Sequence, residues 1–264
     1  MNNLFRIVAI LIFLLPFHAA KAEDENIKMA LLGDSMTWIG GDNFEKPNGW
    51  THYITGLPIE MKTFARSGAT WTNTKETTGN TEAYSEVLDP DNVIYNQAIR
   101  LINDNEFTPN IILIYAGTND AWFSSRRPGI FNKYKAEHDI TLESKPSDFT
   151  SLEGSVDLVC TLLNSEYPDA KIYLLTPVNA GKISEAEITK VSDIIERAAS
   201  KSGASVVRGD REIPIRHLEE KGSNRKHTRD GVHTNEKGAK LIADCIMRNI
   251  IVPYLVSTNV GLQP

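Results

Sequence analysis

The sequence predicts an α/β fold, a mainly five-stranded parallel sheet covered by helices. Three observations carry this. Short apolar runs of strand length alternate along the chain with longer stretches of helical periodicity. One run, Ile111-Ile112-Leu113-Ile114-Tyr115, is apolar without interruption, as in a central parallel strand covered on both faces. Three runs end in small or turn-forming residues, at Gly33-Asp34-Ser35, Ser67-Gly68-Ala69 and Gly117-Thr118-Asn119-Asp120, and right-handed crossovers would bring those ends to one rim.

Ahead of the first strand, Arg6 precedes an apolar stretch from Ile7 to Phe17 and then Ala20-Lys21-Ala22, the pattern of a secretory signal peptide with its cleavage site. The apolar run is about half of the ~20 residues that span a bilayer. Residues 1–22 are therefore expected to be removed, leaving one exported domain, 23–264, in the periplasm or outside the cell. Its 26 basic residues against 34 acidic ones disfavour nucleic acid and anionic membranes as partners, because both need a basic patch.

The first strand is expected over Ile27 to Leu32. A loop rich in Gly, Asp and Asn follows from Trp38 to Asn48, then a short helix from Gly49 to Thr55 carrying Trp50 and Tyr53. Ile59 to Phe64 alternates apolar with polar residues, as a strand buried mainly on one face would. Residues 71–90 read as a surface loop, and a helix is expected from Asn92 to Asn103 with Val93, Ile94, Gln97, Ala98, Leu101 and Ile102 on its buried stripe.

After the central strand, residues 121–147 lose periodicity and read as an excursion, a length usually functional or mobile. Helical pattern resumes from Leu152 to Ser165, followed by a strand at Lys171 to Leu175 and a helix from Ser184 to Ser202 that Gly203 would end as a C-cap glycine. Ala204 to Arg208 is the fifth strand, and the last helix runs from Asn235 to Ile250. Cys160 and Cys245 lie far apart in apolar helical patterns and read as buried, unpaired residues, with a pairing in an exported protein as the alternative. No cluster of His, Cys and carboxylates has metal-ligand spacing, and no cofactor is implied.

The strand ends carry the chemistry. A serine at the mouth of a helix after the first strand sits where open α/β folds bind ligands, which makes Ser35 the candidate nucleophile. A serine hydroxyl needs a base, and the base a partner to fix its tautomer. His233 has Asp230 three residues before it on a turn leading into a helix. His52 and His138 sit in polar surroundings without a partner, and His217 and His227 lie among Arg, Lys and Glu and read as solvated surface. Donors for a developing oxyanion would be the N–H of Ser35, the N–H of Gly68 and the amide of Asn119. Asp34 and Asp120 read as turn-fixing residues beside them.

These blocks, Gly-Asp-Ser at 33–35, the lone Gly68, Gly-Thr-Asn-Asp at 117–120 and Asp-Gly-Val-His at 230–233, occur in the order and contexts of the SGNH, or GDSL, hydrolase family, which the chain resembles. The resemblance implies a flavodoxin-like three-layer α/β/α domain and metal-independent ester hydrolysis through an acyl-serine intermediate. It carries Ser35 over as nucleophile, Gly68 and Asn119 as oxyanion donors, His233 as base and Asp230 as its orienting acid. Two departures bear on substrate. Thr63-Phe64-Ala65-Arg66-Ser67 stands where the family often has an asparagine and another glycine, and the 121–147 loop is longer than a minimal member needs.

Trp38, Trp71 and Trp122 each fall three residues after a functional block and are expected either to wall one pocket, with Arg66, Arg126 or Arg127 at its edge, or to anchor the core under the loops. An exported acidic protein with an indole-rich rim and no amphipathic apolar segment points to de-acetylation of a carbohydrate, with a small-molecule or oligosaccharide ester as partner and no stable membrane insertion. The alternatives are a lipase, thioesterase or lysophospholipase acting on longer acyl chains, and a non-catalytic glycan-binding module.

Overall fold

In the computed structural model five strands, β1 Ile27–Gly33, β2 Ile59–Thr63, β3 Ile111–Tyr115, β4 Lys171–Leu175 and β5 Ser205–Val207, form one sheet in the order β2-β1-β3-β4-β5. Every neighbouring pair is parallel. The structure describes residues 26–72, 93–133 and 150–258. The expected signal peptide, His138 and most of the two expected loops, 71–90 and 121–147, lie outside the described residues.

Strand periodicity sorts the core into two layers. Ala30 and Leu32 of β1 and Ile112 and Ile114 of β3 face one side, where they meet α2 (Ile94–Ile102), α4 (Leu152–Glu166) and α5 (Glu185–Lys201) through Ile94, Leu101, Val156, Val159, Ile188 and Ile195. Met29 and Leu31 of β1 and Ile111, Leu113 and Tyr115 of β3 face the other, against Trp50 and the helix α7 (Glu236–Ile246). Each Leu, Ile or Met side chain here, fully withdrawn from water, contributes roughly 1.5–3 kcal/mol, so β1 and β3 anchor both layers at once. β2, at the edge, alternates half-buried with exposed residues, as its sequence predicts.

Local signals set the helix ends. Ser184 caps α5 by accepting from the Glu187 N–H, while its hydroxyl donates to the Glu187 carboxylate. Gly203 follows α5 in the left-handed conformation. Asn235 caps α7 by accepting from the Lys237 and Gly238 N–H groups.

Some expectations change. The short helix after Gly49 is a single 3-10 turn, Trp50–Tyr53. The turn-forming blocks at two strand ends wind into short helices, α1 (Ser35–Trp38) and α3 (Thr118–Trp122), and another short helix, α6 (Gly209–Glu212), follows β5. The last helix does not stop near Ile250. It widens into a π turn over Met247–Ile251 and continues as α8, Val252–Thr258. Pro253 explains the widening, because its ring clashes with the carbonyl four residues earlier and it donates no N–H. Among the described residues, Glu236–Thr258 is the one helical run long and apolar enough to cross a membrane by length and composition. Its inner face belongs to the sheet core, while Val252 and Val256 are exposed.

Cys160 and Cys245 are buried and unpaired, one in each core layer on opposite sides of the sheet. Burial pushes the Cys160 thiol up to about 12.

Candidate active site

The sheet order changes direction between β1 and β3, and the loops leaving their carboxyl ends diverge there. Open α/β sheets bind ligands at such a switch point. Ser35 is the first residue of α1, directly after β1, and is 8 % exposed. Gly33, just before it, has φ +151°, and a Cβ there would lie 2.2 Å from the Tyr115 carbonyl oxygen. The strands approach so closely that only glycine fits. Gln97 of α2 clasps the same glycine, its amide nitrogen donating to Gly33 O at 2.9 Å and its oxygen accepting from Gly33 N at 2.8 Å. Gln97 was expected on an apolar stripe. A fully buried amide needs partners, and this one finds them in the backbone that carries the serine.

His233 Nε2 lies 3.0 Å from Ser35 Oγ, and His233 Nδ1 lies 2.7 Å from Asp230 Oδ2. A carboxylate only accepts, so Nδ1 carries the proton and Nε2 is left to accept from the serine hydroxyl. The other Asp230 oxygen accepts from the Val232 and His233 N–H groups at 2.9 and 2.8 Å. Partial burial works against the Asp230 charge, but the His233 ring and these two N–H groups outweigh it and hold the carboxyl down at about 2.

The loop bearing His233 is fixed from beneath by Glu220. This 1 % exposed carboxylate accepts from the His227 and Thr228 N–H groups, from His227 Nδ1 at 3.0 Å and from the Thr228 hydroxyl at 2.7 Å. Thr228 then pairs with Thr234 across the loop and accepts from the Gly231 N–H. His227 is accordingly buried, not solvated as its charged neighbours suggested. Glu219, Glu220 and His227 are a group whose ligand atoms lie within 4.8 Å of one another. Both Glu220 oxygens are already engaged by these donors. His52 and His217 contact backbone carbonyls, of Phe44 and Ala180.

Two aspartates lace the strand-end loops together. Asp34 accepts from the Met36 N–H at 2.9 Å and from the Thr118 N–H, joining the β1 and β3 ends. Asp120 accepts from the Trp71 N–H, the Thr72 hydroxyl and the Arg127 guanidinium. Asn119 Nδ2 donates to Ala69 O at 2.9 Å, which places the amide against the turn containing Gly68. Gly68 has φ +77°, a conformation suited to glycine. Among the described residues, neither the Ser35 N–H nor the Gly68 N–H has a protein acceptor.

Asp34 is fully buried, and desolvation raises its carboxyl to about 6 against the hydrogen bonds that favour the anion. A proton held more tightly in the folded state than in the unfolded one makes stability fall as pH rises between the two values. Unfolding of the wild type by urea is expected to become easier from pH 4 to pH 6, by about 3 kcal/mol relative to Asp34→Asn, and then to level off. Identical pH slopes in the two proteins would refute this.

A cavity of about 390 Å³ opens onto Ser35 and His233, within the size range of small-ligand sites. Trp38, Ile39, Lys46, Asn48, Ser67 and Arg229 line it. The three-indole pocket does not form. Trp38 lies one helical turn after Ser35 and faces the cavity, but Trp71 is 1 % exposed in the core, its backbone pinned by Asp120. Trp122 leans on the same core and stacks on Phe123 with ring centroids 5.4 Å apart. Arg127 is not at the edge but fully buried in its ion pair with Asp120. Arg66 and Arg126 are not among the lining residues either.

The profile of the GDSL-like lipase/acylhydrolase family matches residues 29–246, a span that begins in β1 and ends with α7 and so includes Ser35, Asp230 and His233. The chain belongs to the GDSL-like lipase/acylhydrolase family. It is thus a hydrolase acting on ester bonds, with the family's α/β architecture. Solved GDSL structures share the fold at low identity. A chain described as a GDSL-like lipase from Bacteroides uniformis is 20 % identical, with a TM-score of 0.56 over 86 % of this chain and 96 % of that one. An acetyl xylan esterase is 18 % identical, with a TM-score of 0.53 over 85 % of this chain and all of the other. TesA is 14 % identical, with a TM-score of 0.53 over 86 % and 97 % of the two chains. No curated protein matches the chain at a significant level.

Proposed function

We propose that this GDSL hydrolase is an exported serine esterase that removes acetyl groups from a carbohydrate. The observation that carries the chemistry is the hydrogen-bonded series Ser35 Oγ, His233 Nε2, His233 Nδ1 and Asp230 Oδ2, which reaches the cavity through Ser35 and His233. Ser35 Oγ attacks the ester carbonyl as His233 takes its proton, forming a tetrahedral oxyanion. In this reading the Ser35 and Gly68 N–H groups and the Asn119 amide donate to that oxygen, and one such donor is worth about 2.7–4 kcal/mol when deleted. Collapse expels the alcohol, which receives the proton from His233. Water then attacks the acyl-serine with His233 as base, releasing the acid and restoring the serine.

Three features support the carbohydrate part. The flat indole of Trp38 at the cavity suits stacking on a sugar ring. The cavity has the volume of a small-ligand site, and one structural neighbour is an acetyl xylan esterase. Export rests on the signal-peptide pattern of residues 1–22. Acetate release from a panel of acetylated polysaccharides, with the Ser35→Ala protein as blank, tests the reading. Faster turnover of p-nitrophenyl decanoate than of p-nitrophenyl acetate, with no acetate released from any glycan, would replace it with a long-chain acylhydrolase.

A further inference from the structure

The charge of the cavity is at odds with the charge of the chain. The protein carries a net charge of −6, yet among the described residues its cavity is lined by two cations, Lys46 and Arg229, and by no carboxylate. Some cations elsewhere are neutralised by acids. Arg208 meets Asp193, Glu196 and Asp210, Lys201 meets Glu153, and Lys62 meets Asp104. Lys46 and Arg229 have no ion-pair partner among the described residues.

Arg229 is held in place by the loop that carries the base. Its N–H donates to His233 O at 2.7 Å and its Nε donates to Thr234 O at 3.2 Å. That leaves the two terminal nitrogens of the guanidinium as a fork, the geometry that matches a carboxylate. The neighbouring Asp230, whose oxygens accept from His233 and Val232, forms no ion pair with it. Lys46 stands over the Trp38 ring, its Nζ 5.9 Å from the centroid, so the aromatic surface and the second cation share one wall.

We propose that the substrate is an acidic sugar, an acetylated uronic-acid unit whose carboxylate is bound by Arg229 and Lys46 while Ser35 attacks the acetyl carbonyl. This rests on the carbohydrate reading above and narrows it. The cations act on substrate binding, so their effect belongs in KM and weakens with salt.

The test compares acetate release from an acetylated uronic-acid oligosaccharide and from the same oligosaccharide with its carboxylates capped as methyl esters. The wild type is expected to favour the free acid about tenfold in kcat/KM, chiefly through KM, with the preference shrinking at about 0.5 M salt. In Arg229→Gln and Lys46→Met the ratio is expected to fall toward one. Calorimetry with the Ser35→Ala protein is expected to give the same order of binding without turnover. Equal kcat/KM and equal binding of the two oligosaccharides would overturn the acidic-sugar proposal and leave the carbohydrate reading standing. If neither oligosaccharide is bound or deacetylated while p-nitrophenyl acetate is cleaved, the carbohydrate reading falls and takes this proposal with it.

Discussion

Ser35→Ala is expected to lower kcat on any ester by at least about 10⁴-fold, and His233→Ala by a similar factor, because the two act as one unit. For the same reason the double substitution should be little worse than either single one. Asp230→Asn is expected to cost about 10⁴-fold by a different route. An amide NH₂ facing His233 Nδ1 favours the tautomer with the proton on Nε2, where it can no longer accept from Ser35. Initial rates with p-nitrophenyl acetate, together with mass-spectrometric labelling of Ser35 by a fluorophosphonate, check all four proteins. A Ser35→Ala protein within tenfold of wild type would remove the serine from the reaction.

Glu220→Ala is expected to be the most damaging change to stability near the site, on the order of 3–5 kcal/mol. Its carboxylate accepts from two backbone N–H groups, an imidazole and a hydroxyl, all buried, and each donor stranded away from water costs about 1–3 kcal/mol. Some relaxation of the loop offsets part of that sum. Turnover should fall as well, since Thr228 braces the segment from which Asp230 and His233 project. Asp230→Asn provides the contrast. The Asp230 side chain is 43 % exposed, so its loss should abolish turnover with a much smaller shift in urea midpoint. Urea unfolding of both variants beside the wild type decides it, and a Glu220→Ala midpoint equal to that of Asp230→Asn would contradict the assignment.

The framework was legible in the chain because β1, β3 and β4 are written as apolar runs and the helices between them as periodic stripes closed by caps such as Ser184 and Gly203. The trio Ser35, Asp230 and His233 was legible because an Asp three residues before a His on a turn is a local pattern with a local consequence. Partners distant in sequence were not. Gln97 sits at a stripe position, and nothing near it announces that its amide will close on Gly33, 64 residues away. A polar residue in a buried stripe was the available signal, since it must be satisfied somewhere. Glu220 and His227 looked like surface charge because the chain shows their neighbours, not the burial that pairs them. The tryptophan spacing misled for a geometric reason. Three residues make one turn only in a helix, as from Ser35 to Trp38, whereas Trp71 follows Gly68 through an irregular turn and points inward. Trp122 does stand one turn from Asn119, but its ring leans toward Phe123.

The contact between Ser35 and His233 joins residues 198 positions apart, and its consequence lies in the order of events during synthesis. The chain emerges amino end first, so β1 and its nucleophile exist long before the segment that supplies the base. The base loop is in turn tied to α7 through Asn235, whose N–H donates to His227 O. Under the proposed mechanism the serine has no proton acceptor until this loop is in place, and no ester turnover is expected before then. In that mechanism ester turnover reports completed folding, and a chain truncated before His233 is expected to be silent toward esters.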